Sequence, residues 1–365
     1  MRIECSVEKI KKALHHADKV TGKNLTLPIL SCILFVTQDK SLTLRATNLN
    51  LGIELDVPAK VDMKGVVAVN GNLINSIFST IQDQGNVVLE LIDQTLVIQT
   101  KSSSFKIKTY SHEDFPTIPA VEGYSMTVSS KKFIDGVKSV YYSASLSDIK
   151  PEIASVYIYG DQNSMIFVAT DSFRLAEKRS KFDFKDDFTG ILIPHKNISE
   201  IIKIIDENTG DIDIRLNRNQ ISLTSPGLYL TSRAVDGVFP DYKQIIPKEF
   251  KTEAVILKQD LLNALKISNI FSDKFNQVSV HVIPKEKQMV ITSKNNDIGE
   301  HTTKIQGNFT GEEVEVSFNY KYFIDCFQSI SSDSLVLKFN QQNKPMIING
   351  SSDTSFMYLV MPMNR

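Results

Sequence analysis

Residues 69–81, "VNGNLINSIFSTI", recur as 193–205, "IPHKNISEIIKII", and again as 318–330, "FNYKYFIDCFQSI". Each copy reads as the end of a strand followed by an amphipathic helix that closes on Ile, because apolar residues return every three or four positions. A second strand-and-helix signature precedes each one: "IECSVEKIKKALHHA" from Ile3, "MTVSSKKFIDGVKSV" from Met126 and "AVILKQDLLNALKIS" from Ala254. Phe115-Pro116 and Phe239-Pro240 return at the same spacing. Three copies of one unit of about 124 residues fill the chain. That period is too long for a solenoid repeat of about 20–50 residues, so each copy is expected to be a domain.

Between the helices the pattern is strand-like. "VVLELIDQTLVIQTKSSSFKIKTY" (87–110) gives three alternating runs broken at Asp93-Gln94 and at Ser102 to Ser104, and "DIDIRLNRNQISLTSPGLYLTSRAV" (211–235) repeats the layout. The fold class expected is α+β: three tandem similar domains, each with two helices on antiparallel β-sheets, at 1–122, 123–248 and 249–365.

The chain has 365 residues, 42% of them hydrophobic and 23% charged, as in ordinary globular proteins, and a length that calls for two or three domains. The N-terminus is charged within a few residues and lacks the apolar core of a signal peptide, and no apolar run is long enough to span a bilayer. Cys5, Cys32 and Cys326 are few, odd in number and far apart, which argues for a reducing compartment and against disulfides or a thiolate metal site. A cytoplasmic protein without membrane contact is the simplest expectation.

Three similar domains in one chain suggest an arc. If each domain meets the next through the same heterologous contact, a head-to-tail homodimer closes a ring of six. The helices suggest what such a ring would hold. The first buries Ile10, Leu14 and Ala17 and is expected to turn Lys9, Lys12, His16 and Lys19 outward, and helix 131–143 buries Phe133, Val137 and Val140 while Lys131, Lys132 and Lys138 stay out. The six helical segments together are net basic while the whole chain carries −1. Admitting Glu8, Asp206 and Glu207 halves that excess. A protein that grips nucleic acid by affinity usually has a strongly basic domain. A ring that encircles duplex DNA needs no tight grip.

One stretch carries a denser cluster. In "FVATDSFRLAEKR" (167–179) an apolar strand runs into Thr170-Asp171-Ser172 and leaves through Phe173, Arg174 and Leu175. Asp and Ser favour turns by bonding the backbone two residues on. The cluster reads equally as a catalytic group, a tight hairpin or the rim of a peptide pocket.

The three-fold repeat, "VATDSFRLA" at 168–176, "VDGVFPDYKQIIP" at 235–247 and "YLVMPMNR" at 358–365 together resemble the bacterial DNA polymerase III β subunit family, the sliding clamps, over the whole chain. The resemblance implies the DNA clamp fold, a ring-shaped homodimer around double-stranded DNA, and a processivity role with no chemistry, cofactor or metal of its own. It implies partners, the replicative polymerase, the clamp loader and repair proteins, that dock a short linear motif of the form Gln-Leu-Xaa-Leu-Phe. The pocket it implies takes Ile153, Thr170, Ser172, Phe173, Arg174, Leu175, Pro240, Ile245, Asn319, Tyr322, Leu359, Met361, Pro362 and Met363. Lys23, Lys150, His195 and Lys196 join the DNA-facing set, and Phe105 is placed against Ile270 and Phe271 at the dimer seam. This chain departs from the family pattern at Ser172-Phe173, where Gly-His is common, at Gln244 and Asn364 in place of arginines, at Pro151-Glu152 in place of two tyrosines, and at Asn24 in place of a contacting Arg.

Enzymatic readings fare badly. Neither a P-loop nor a dinucleotide fingerprint occurs, and the six histidines form no ligand spacing. His112-Glu113-Asp114, the most metal-like cluster, falls in a linker, and Asp171 with Arg174 has no nucleophile nearby. The alternative kept beside the clamp is a three-domain enzyme or ligand-binding protein with its site at a crevice near Thr170.

Overall fold

The computed structural model describes residues 1–22, 27–182, 188–207, 210–341 and 343–363. The first repeat runs β1 (Arg2–Ser6), α1 (Val7–Val20), β2 (Cys32–Thr37), β3 (Ser41–Thr47), β4 (Leu51–Met63), β5 (Val66–Asn70), α2 (Gly71–Thr80), β6 (Asn86–Ile92), β7 (Thr95–Gln99) and β8 (Ser104–Lys108). The second runs β9 (Tyr124–Ser129), α3 (Ser130–Val140), β10 (Ser155–Asp161), β11 (Ser164–Thr170), β12 (Arg174–Lys181), β13 (Ile191–Pro194), α4 (His195–Ile205), β14 (Asp211–Leu216), β15 (Gln220–Ser225) and β16 (Leu228–Arg233). The third runs β17 (Thr252–Leu257), α5 (Lys258–Ile270), β18 (Gln277–Ile283), β19 (Gln288–Asn295), β20 (Gly299–Gly311), β21 (Val314–Asn319), α6 (Tyr320–Cys326), β22 (Ser334–Phe339), β23 (Met346–Gly350) and β24 (Phe356–Val360). Eight strands and two α-helices therefore recur in one order three times among the described residues, as the repeated sequence signatures require.

Local chemistry explains the elements. α1 carries a continuous stripe of buried Val7, Ile10, Ala13, Leu14, Ala17 and Val20. Buried and exposed positions alternate along Asp211–Leu216, whereas every residue of Ser164–Thr170 is buried, as expected of a strand covered on both faces. The side chain of Asn70 accepts from Leu73 N at 2.9 Å and that of Asn319 from Lys321 N, so the strand-to-helix corner is capped in the same way in two of the repeats. Helix α3 is shorter than the expected 131–143, because residues 141–143 tighten into a 3₁₀ turn.

By packing, the chain forms two compact units, Met1–Lys131 with Ser199–Ala234, and Lys132–Ile198 with Val235–Arg365. Each contains a 12-stranded sheet. In the first unit the sheet runs β8-β7-β6-β1-β4-β16-β15-β14-β9, and β4 and β16 pair antiparallel from Leu228↔Leu55 to Ser232↔Leu51. In the second, β12 and β24 pair from Arg174↔Val360 to Lys178↔Phe356. The fourth strand of one repeat thus bonds to the eighth of the next, and backbone hydrogen bonds carry each sheet across a boundary between repeats. That continuity is why packing divides the chain into two units where sequence self-similarity divides it into three.

The structure corrects one expectation about α1. His16 does not face outward; it is only 5% exposed, whereas its neighbour His15 is exposed. Lys9 and Lys12 are exposed as expected and Lys19 is half-buried.

Gly136 on α3 lies against the ring of Phe167, and a Cβ there would fall 2.3 Å from a ring carbon. Gly136→Ala is therefore expected to destabilise the protein by up to about 2 kcal/mol, because a strain toward the upper end of about 1–3 kcal/mol outweighs the roughly 1 kcal/mol gained in helix propensity. A lowered melting temperature in calorimetry checks it; an unchanged or raised one contradicts it.

Candidate functional site

The cluster at 170–175 is first of all a turn. Asp171 Oδ1 accepts from Phe173 N at 2.9 Å and Arg174 N at 3.0 Å, Thr170 Oγ1 donates to Arg174 O at 2.6 Å, and Ser172 N donates back to Thr170 Oγ1 at 3.2 Å. Ser172 takes φ 78°, in the left-handed region that a residue with a side chain enters at a cost. The same turn exists in the first repeat. Asn48 Oδ1 accepts from Asn50 N and Leu51 N, Thr47 Oγ1 donates to Leu51 O and accepts from Leu49 N, and Leu49 has φ 74°. The signal for this twin, Ala-Thr-Asx at 46–48 and at 169–171, lies in the sequence, although the reading above missed it.

What sets the second turn apart is Arg174, where the first has Leu51. Arg174 is mostly buried and held from four sides: Nε on Asp171 at 2.9 Å, Nη1 on Asp325, Nη2 on the carbonyl of Tyr142 at 2.7 Å, and the guanidinium over the Tyr322 ring, 4.7 Å from its centre. A charge this buried needs such partners. Sequence reasoning placed Arg174 and Tyr322 in one site but missed Asp325 and Tyr142, which come from α6 and the 3₁₀ turn after α3.

Around this anchor lies an apolar cluster that holds three of the residues expected to line a pocket, Leu175, Leu359 and Met361. Leu175 and Leu359 face each other across β12 and β24, and with Ile166, Val168, Leu192, Phe239, Tyr242 and Ile347 they form one apolar cluster on which Met361 packs. Met361 N donates to Phe173 O at 2.8 Å and Met363 N to Ser317 O at 2.8 Å, so the C-terminal segment is tied to the turn and to β21. Leu175 and Leu359 are fully covered, Phe173 is 62% and Ile245 48% exposed, Met361, Pro362 and Met363 are half-buried, and Ile246, next to Ile245 in the chain, packs on the same cluster as Met361. Pro240 sits between the two aromatic residues of the cluster and accepts from Tyr242 N at 2.7 Å. Tyr242 bonds the Glu177 carboxylate and the Tyr159 hydroxyl, and burial first, then Glu177, pushes its phenol far up. Thr170 is buried beneath the turn. Ile153 is buried at the end of its loop, where its carbonyl accepts from Ser145 N, and Asn319 caps α6.

The basic candidates are tempered by acids. Lys12 lies 3.0 Å from Glu207, and Lys196 pairs with Asp148. His195 is half-buried and stacked on Tyr141 at 5.8 Å, and burial first, then Lys196, pulls its pKa down, so it serves as a polar rather than a charged group. Lys131 and Lys150 are exposed, Lys138 is half-exposed, and Lys23 lies outside the described residues. Phe105 is half-buried on β8, Ile270 is 65% exposed, and Phe271 stacks on His301 at 5.8 Å. The three cysteines are buried and unbridged, and burial, then Glu4, pushes the Cys5 thiol up to about 12.

Sequence comparison matches residues 1–119, 127–241 and 243–364 to the N-terminal, central and C-terminal domains of the DNA polymerase III beta subunit. The chain belongs to the DNA polymerase III beta subunit family, the beta sliding clamps. It is 23% identical to the beta sliding clamp of Synechococcus elongatus and 24% identical to that of Bacillus subtilis, covering all of this chain and 99% of each relative. The DNA polymerase III beta subunit of Thermotoga maritima superposes at a TM-score of 0.94 with 26% identity, covering all of this chain and 99% of that one. A Pseudomonas aeruginosa sliding clamp bound to griselimycin superposes at 0.95 with 23% identity and full coverage of both. As a sliding clamp, the protein uses the Thr170 turn as architecture and Arg174 as the feature peculiar to its second inter-repeat junction.

Ser172→Gly and Leu49→Gly each relieve a left-handed residue, and each is expected to leave stability unchanged or raise it by up to about 1 kcal/mol, against the loss a glycine usually brings; a fall in denaturant midpoint contradicts the strain. His16 has a pKa lowered by burial, with Glu207 opposing and Lys19 and Lys12 adding. The unfolded chain therefore takes up its proton first, so this contribution is complete above the ordinary imidazole range and is lost as pH falls through it. His16→Gln should flatten the fall in denaturation midpoint between pH 7.5 and 5.5; an unchanged fall contradicts it.

Proposed function

We propose that the protein works as a head-to-tail dimeric ring that surrounds duplex DNA in the cytoplasm, tethers a polymerase and other replication or repair proteins through a short linear motif, and performs no chemistry itself. One observation carries the dimer. Strand four of each repeat pairs with strand eight of the next, as β4 with β16 and β12 with β24, and the series leaves one strand four and one strand eight over. Among the described residues, the first strand eight, β8, ends its sheet with only β7 beside it, and residues 299–306 of β20 are paired by β19 alone, while β17 takes only 307–311. Open edges of this kind are usually covered or paired. Pairing β20 of one copy with β8 of a second copy, and the reverse, repeats the same contact at both seams, gives six repeats in a closed cycle, and brings Phe105 toward His301, Phe271 and exposed Ile270. Closure into a ring supplies topological retention, which suits a chain of net charge −1 better than tight phosphate binding. Lys9, Lys12, Lys19, Lys131, Lys138, Lys150 and Lys196 are the proposed phosphate-facing cations.

The motif-binding site is proposed at the Met361 and Ile245 rim, where an apolar surface with thioethers lies beside a fixed guanidinium, a combination that accommodates varied apolar anchors. Ser172-Phe173 makes its mouth bulkier than the family pattern and is proposed to shift peptide preference.

Phe105→Glu is expected to convert a micromolar dimer into a monomer in sedimentation equilibrium; a wild-type monomer, or a variant that still dimerises, contradicts the seam. A labelled Gln-Leu-Xaa-Leu-Phe peptide should bind saturably and lose at least tenfold in affinity with Ile245→Asp or Met361→Asp, which touch the rim and spare buried Leu175. Equal binding by wild type and both variants would place the motif elsewhere.

A further inference from the structure

A cavity outside the proposed motif rim lies within the first compact unit. A cleft of about 740 Å³ opens between α1, the start of β3, the middle of β4, the end of α4 and the β15–β16 turn. Its size falls within the roughly 300–1,000 Å³ range of small-molecule sites. The floor is apolar: Ala13, Leu55, Val57 and Ile204 are buried, and Leu228, Pro58 and Pro226 extend it toward the rim. Lys9, Lys12 and Lys40 stand at the edge and are all exposed. Two acids line it as well, and both have partners, Asp56 accepting from Thr43 Oγ1 at 2.6 Å and Glu207 lying 3.0 Å from Lys12.

One wall group has a charged neighbour but no hydrogen bond. His16 is 5% exposed and lines the cleft, and its Nε2 lies 3.4 Å from Glu207 Oε2 without a hydrogen bond. A buried ring nitrogen left this way costs free energy that an occupant of the cleft would recover.

We propose that this cleft binds a small amphipathic anion, an aromatic or aliphatic body carrying one carboxylate, sulfonate or phosphate group. The body lies on the Ala13, Leu55, Val57 and Leu228 floor, the anionic group takes the place of the Glu207 carboxylate against Lys12 with Lys9 and Lys40 in reach, and His16 Nε2 gains a polar neighbour. Because Lys9 and Lys12 are also proposed phosphate contacts, an occupied cleft withdraws two cations from DNA. The site itself is contained in one chain and stands whether or not the ring reading does.

The probe is 1-anilinonaphthalene-8-sulfonate, titrated by fluorescence into the intact protein at neutral pH. Saturable binding of one probe per chain is expected, weakened at least tenfold by Lys12→Glu with Lys40→Glu and unchanged by Lys285→Glu, a charge reversal on a lysine outside the cleft. Ala13→Trp fills the cleft and should abolish binding, with circular dichroism used to confirm the fold; should that variant unfold, the lysine pair decides alone. Binding that survives the lysine reversals, or that falls equally with Lys285→Glu, overturns the proposal. So does the lack of saturable binding up to millimolar probe.

Discussion

The constraint on which the structure depends is the hydrogen-bonding demand of strand edges. A strand of five or more residues presents a row of N–H and C=O groups that must find partners, and each repeat meets the demand at one edge only by borrowing the next repeat. β4 uses its first half on β16, and β12 uses its first half on β24. The geometry of both junctions follows. Where strand four begins, a Thr-Asx turn precedes it, and the end of strand eight ties back to that turn: Arg233 N, on the last residue of β16, donates to Asn50 O at 2.8 Å, and Met361 N, just past β24, donates to Phe173 O at 2.8 Å. One backbone device therefore builds the sheet continuity and fixes the rim of the candidate pocket.

On that shared frame, a few side chains make the second junction different. Leu51 in the first turn becomes Arg174 in the second, and a guanidinium so deeply placed draws Asp171, Asp325, Tyr142 and Tyr322 around itself. Gly52 becomes Leu175 and Thr231 becomes Leu359, so a sparse crossing becomes an apolar cluster. The contrast between the equivalent junctions thus arises from side chains while the backbone pairing stays the same.

The repeat, the helix count and the strand runs were legible in the sequence because they rest on local periodicity: the Ile10, Leu14, Ala17 stripe and the alternation in "DIDIRL" act within one element. The pairing of β4 with β16 was not, since its partners lie about 180 residues apart and alternation alone does not name a partner. His16 was misplaced for a related reason. Next to Ala17 in sequence, it borders the apolar stripe, and its burial depends on what packs around it: β4 and the end of α4 line the same cleft. The acids that offset Lys12 and Lys196 were equally hidden, because Glu207 and Asp148 reach them only through the fold. Arg174 did contain a usable signal: an arginine opening an apolar strand demands a carboxylate from somewhere, though not which one.

In the proposed ring, β8 and residues 299–306 of β20 pair with each other across two copies. Amide hydrogen exchange on the protein at micromolar concentration tests it most directly. Slow exchange over 104–108 and 299–306, comparable to that of β4 against β16 and quickened on dilution, is the result expected of paired edges. Fast exchange at both edges, at every concentration, would show them bare and would contradict the dimeric ring.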